Sequence, residues 1–185
     1  MTTTPEETIA SQPAAVDRDL TIQRDGKTQH TVQTISQSYP TTLDDLWQAC
    51  TQADRLARWF APVSGDLQLG GRYQVEGNAS GEVIACDPPR SYTVTWEMGG
   101  AATHVSVRLT PEGDDARLTL EHQHTGETDS EFWIQFGPGA TGVGWDLALL
   151  GLALHLMTGQ DRPEDPDAFA QLPSARQFIR DVSER

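Results

Sequence analysis

The stretch that decides the fold is residues 142–158, GVGWDLALLGLALHLMT. It is almost unbroken in apolar character, and its Leu, Ala and Met content favours an α-helix. At about 1.5 Å per residue such a helix spans roughly 22 Å, short of a comfortable membrane crossing. Helical spacing sorts the side chains into two ridges, one of Trp145, Leu149, Leu152 and Leu156 and one of Leu147 and Leu154. Between the ridges runs a stripe of Gly144, Ala148, Gly151 and His155, with Asp146 roughly opposite. A helix apolar over most of its surface must be buried over most of it. The side opposite Asp146 is therefore expected to face inward, where His155 is almost the only sizeable side chain. Two readings fit the stripe. Small residues let another backbone pack close to the helix axis, or they roof a cavity with His155 as a polar handle inside it.

A helix of this kind needs a partner, and the rest of the chain supplies a sheet. The segment LTIQR, then Asp25-Gly26, then KTQHTVQTISQSY reads as a hairpin, with Asp-Gly favouring a type I′ turn. Pro40 ends its second strand. Thr42 and Asp45 resemble a capping box opening a short helix that carries Leu43, Leu46, Trp47 and Cys50 on one side. Asp54 is placed to cap a second short helix with Leu56, Trp59 and Phe60, which Pro62 stops. A strand meander follows. Leu67, Leu69, Tyr73 and Val75 flank a bend at Gly70-Gly71, EVIAC runs to a rigid corner at 87–90, and Tyr92, Val94 and Trp96 alternate with polar neighbours. Val105, Val107 and Leu109 alternate likewise, as do Leu118, Leu120 and His122. Alternation of this kind predicts an antiparallel sheet with one buried face. The only sizeable element available to cover that face is the long helix, so the expected class is α+β, a curved sheet gripping a helix.

The pieces in this order resemble the START-like (SRPBCC) superfamily, and within it the family related to activators of heat-shock protein 90 ATPase. The resemblance covers roughly residues 20–158. It rests on Trp47 in the first short helix, Trp59-Phe60 closing the second, Gly71 and Tyr73 at a strand start, Gly81 before the next strand, and Gly144-Trp145 opening the last helix. It implies the helix-grip fold, whose hallmark is a cavity between the sheet and the last helix. It also brings a possible chaperone partner and a role in the stress response. Superfamily members include cyclases and hydratases, although no catalytic signature of theirs is matched here.

One domain is the expectation for 185 residues. A net charge of −14 argues against nucleic acid and anionic membranes, because phosphate binding needs clustered Lys and Arg. Cys50 and Cys86 have neither metal-site spacing nor the density of a secreted scaffold, and read as free thiols in a reducing, cytoplasmic setting. Residues 1–18 lack the basic start and apolar core of a signal peptide and read as a disordered tail. Residues 19–158 form the domain, and 159–185 a charged linker with an amphipathic helix. In that helix Ala175, Phe178, Ile179 and Val182 share one face, to dock on this domain or on a second copy, giving a homodimer through 174–184.

The chemistry is sparse. His122 and His124 share a strand face beside Glu121, but no further ligand completes a metal set, so no metal and no cofactor are expected. No Gly-x-Ser-x-Gly elbow appears, and residues 138–144 lack the Lys-Ser/Thr of a phosphate loop. Trp47 and Trp59 are assigned to the core. The expected ligand contacts are Tyr73, Trp96, His122, Trp133, Phe136, Gly144, Ala148, Gly151 and His155. The expected function is binding of an apolar or amphipathic small molecule without turnover. The alternatives are a regulator of a chaperone ATPase, or an enzyme using cavity histidines.

Overall fold

The computed structural model describes residues 3–128 and 139–183. Asp17–Asp25 (β1) and Thr28–Tyr39 (β2) form the expected hairpin. Asp25 pairs with Thr28, which leaves Gly26 and Lys27 as the turn. Of these only Gly26 has positive φ, 60°. The turn therefore follows the type II′ pattern, with Gly first, and not the type I′ pattern expected from Asp-Gly.

Leu43–Thr51 (α2) begins at Thr42, whose hydroxyl accepts from the Asp45 amide at 3.2 Å. The Asp45 carboxylate does not complete a capping box. It accepts instead from Thr41 Oγ1 at 2.7 Å and from Arg55 at 3.0 Å. Ala53–Trp59 (α3) starts two residues earlier than expected: Gln52 is its cap, and Asp54 sits in the first turn, where a carboxylate still suits the helix dipole.

Val63–Gly65 (β3), Arg72–Val75 (β4), Ser80–Asp87 (β5), Ser91–Met98 (β6), Ala101–Glu112 (β7) and Asp115–Glu127 (β8) complete the sheet. Among the described residues its order is β1-β2-β8-β7-β6-β5-β4-β3, antiparallel throughout. Val105, Val107 and Leu109 on β7 and Ala116, Leu118, Leu120 and His122 on β8 are buried on one face, as their alternation requires. Leu67 and Leu69 are not in a strand. They lie in the connection from β3 to β4, and Leu69 is 65% exposed.

Gly139–Thr158 (α4) is the long helix. Its length and composition alone would suit a membrane span. In this fold, however, both of its faces are occupied. Leu149, Leu152 and Ala153 belong to the main core against the sheet, while Leu150 and Leu154 join a second core with Ile9, Phe178 and Val182. Asp146, expected on an outward side, is only 2% exposed, because Arg18 of β1 binds it with two guanidinium nitrogens, Nε at 3.1 Å. Leu147, expected in a buried ridge, is among the exposed large apolar residues.

The second core explains both ends of the described chain. Pro5–Ala15 (α1) is a helix where a disordered tail was expected. A capping box holds its start: Glu7 N–H donates to Thr4 Oγ1 at 3.2 Å, and Thr4 N–H donates to Glu7 Oε2 at 2.9 Å. Its buried side is half polar, Thr8 and Gln12 beside Ile9 and Pro13. The Gln12 and Gln37 amides bond to each other twice, at 2.7 and 3.0 Å, tying α1 to β2. Pro166–Gln171 (α5) leads into Pro173–Ser183 (α6). Ala175, Phe178 and Val182 are buried within this same chain, on the side toward α1 and α4. The apolar stripe of α6 thus packs on its own domain, the first of the two dockings expected for it.

Candidate functional site

Between the buried face of the sheet and helices α2, α3 and α4 lies a cavity of about 800 Å³. The sheet contributes Val83, Val94, Val105, Val107, Leu118 and Leu120, and the helices contribute Trp47, Leu56, Trp59, Trp145, Ala148 and Leu149. The 66–71 connection, with Leu67, Gln68 and Leu69, brings the cavity to the surface. The aromatic walls are mutually braced. Trp96 and Trp145 rings lie 5.3 Å apart, and Trp47 meets Tyr92 edge-on at 6.1 Å. Trp59 donates its indole N–H to the Ala49 carbonyl at 2.9 Å, and Tyr73 its hydroxyl to the Thr95 carbonyl at 2.6 Å. Both therefore turn apolar surface toward the open volume.

The buried titratable groups of the wall stay uncharged at neutral pH. Burial pushes the Cys50 thiol and the Tyr73 phenol up to about 12, and holds the Tyr92 phenol well above its ordinary 10. Asp66, a lining carboxylate, is exposed at the rim.

The expected site residues divide. Tyr73, Trp96 and Ala148 line the cavity. His122 stands behind its wall: Trp145 donates its indole N–H to His122 Nδ1 at 3.1 Å, so the ring proton sits on Nε2 and is donated to Thr103 Oγ1 at 2.8 Å. Thr103 in turn donates to the Trp96 carbonyl at 3.2 Å. Burial, and then His124, lower the His122 pKa to about 4. With both ring nitrogens engaged, this imidazole is a spacer between two tryptophans rather than a free base. His155 lies outside the lining. Its Nε2 accepts from Arg55 at 3.2 Å, and burial, Arg58 and Arg55 lower its pKa. Neither histidine offers the cavity a proton-transfer group.

The glycine stripe also divides. Gly144 is exposed. At Gly151 a Cβ would sit 2.5 Å from the Trp59 carbonyl oxygen, so this position serves close helix packing, the first of the two readings of the stripe. Only Ala148 of the stripe reaches the open volume. Trp133 and Phe136 lie outside the described residues. Trp59 lies in the main core and Trp47 packs against it, as expected, and both also line the cavity, as does Tyr92. Their spacing alone does not separate a core indole from a wall indole, because both must cover the same face of the sheet.

The family described as Activator of Hsp90 ATPase homolog 1-like protein matches residues 40–156. The chain belongs to this family. This Aha1-like family lies within the START-like (SRPBCC) superfamily, and the sheet around α4 is its helix-grip fold. The crystal structure of CalU16 from Micromonospora echinospora is similar at 32% identity and a TM-score of 0.71, over 92% of this chain and 94% of that one. Its solution structure gives a TM-score of 0.74, covering 92% of each. The Aha1 dimer from Colwellia psychrerythraea, 16% identical over 68% of this chain and 96% of its own, shares the fold at a TM-score of 0.55. No curated protein matches the sequence.

Proposed function

We propose that this chain binds a small apolar molecule in the cavity between the sheet and α4. The observation that carries the reading is the volume itself, about 800 Å³ left open inside a domain of this size. Interiors ordinarily close to crystal-like density, so a void of this scale represents packing contacts forgone. Its aliphatic and indole walls favour apolar surface, and volumes of roughly 300–1,000 Å³ are those that enclose small ligands. Binding without turnover is supported by the two histidines, whose ring nitrogens bond Trp145 with Thr103 and Arg55.

Equilibrium binding of the neutral dye Nile red tests this, on wild type and on Ala148→Leu. The added side chain fills open volume and is expected to weaken binding at least tenfold while leaving the melting temperature equal or higher. Wild-type protein that binds no dye, and carries no small molecule in native mass spectrometry, would remove the proposal.

A second reading, regulation of a heat-shock protein 90 type ATPase, is supported by the family match alone. Stimulation of a purified chaperone ATPase by this chain is its test.

A further inference from the structure

Resting on the cavity reading, the wall carries a polar group, the Tyr92 hydroxyl, that no described residue bonds. Tyr92 lines the open volume beside Cys50, Cys86 and Tyr73. Tyr73 spends its hydroxyl on the Thr95 carbonyl, and Trp59 and Trp145 spend their indole N–H groups on Ala49 and His122. The Tyr92 ring is held by edge contact with Trp47, yet among the described residues its hydroxyl makes no hydrogen bond. The residue is half-buried and its hydroxyl keeps accessible surface, which a guest or water in the open volume can satisfy. Among the described residues no cation lines the cavity, and the one acid that does, Asp66, is at the rim. An ionised guest would therefore be buried without a counter-charge.

We infer that Tyr92 is the orienting contact of the cavity, donating its hydroxyl to a carbonyl or ether oxygen of an otherwise apolar, uncharged ligand. A matched pair of probes reads this directly: fluorenone, which carries one ketone, and fluorene, the near-isosteric hydrocarbon. Affinities are taken from quenching of the wall tryptophans. Wild type is expected to hold fluorenone roughly tenfold more tightly than fluorene, and Tyr92→Phe to abolish that preference. Fluorenone-4-carboxylate should bind at least tenfold more weakly than fluorenone. In wild type alone, the infrared carbonyl band of bound fluorenone should lie below its position in an apolar solvent, which tests the bond without any substitution. Two results would overturn the assignment and leave the cavity reading standing. One is equal binding of both probes with an unshifted carbonyl, and the other is an unchanged preference in Tyr92→Phe. Failure of wild type to bind either probe would overturn both.

Discussion

The indole N–H of Trp145 donates to Nδ1 of His122 at 3.1 Å, which makes a cavity wall depend on an imidazole staying neutral. Protonation would place a second hydrogen opposite the indole hydrogen. Burial, and then His124, hold the pKa at about 4 against an ordinary 6.5. The sign follows. The unfolded chain binds the proton more readily, so this contribution is complete above about pH 6.5 and is lost as pH falls through about 4. Urea denaturation at pH 7, 5 and 4 is expected to show a loss in wild type of the order of 3 kcal/mol beyond that of His122→Gln. Parallel pH curves for the two proteins would refute it.

Gly151 has no room for a methyl group beside the Trp59 carbonyl oxygen. Gly151→Ala is expected to cost about 1–3 kcal/mol by pushing α4 away from α3, despite the better helix propensity of alanine. A chemical denaturation curve measures it. Unchanged or increased stability would show that α4 tolerates the displacement.

Arg18 neutralises a carboxylate that water barely reaches, with the Asp146 side chain 3% exposed. Arg18→Ala is expected to cost about 3–5 kcal/mol, because it strands a buried charge. Arg18→Met with Asp146→Leu should recover most of that loss. Equal destabilisation by the single and double variants would contradict the argument.

Gln12→Ala leaves the Gln37 amide without its paired partner in a buried setting. The expected cost is about 1–3 kcal/mol. Hydrogen exchange should show faster opening in α1 before any change in β7 and β8.

How legible all this was depends on where each partner lies in the chain. The strands could be read because alternation is a local record of one wet and one dry face. Val105, Val107 and Leu109 announce it without reference to anything distant. Asp146 could not be placed, because its charge reads as solvent-facing unless Arg18, far along the chain, is known to meet it. The first helix escapes composition for a related reason. Thr8 and Gln12 are buried by virtue of their contacts, and composition counts them as polar. In the site, the cavity was anticipated, but its furnishing was not. Gly151 and Ala148 look alike in a stripe, and only the position of the Trp59 backbone makes one a contact and the other a wall.

The double-sided burial of α4 has a mechanical meaning. A roof above a hollow is pulled downward by every apolar contact it could gain by sinking. This one is also pulled from above, through Leu150 and Leu154 to Ile9 and Phe178, and tied at its first turns through Asp146 to Arg18 of β1. The chamber stays open under opposing tension, so a guest entering it need not spend binding energy on lifting the ceiling.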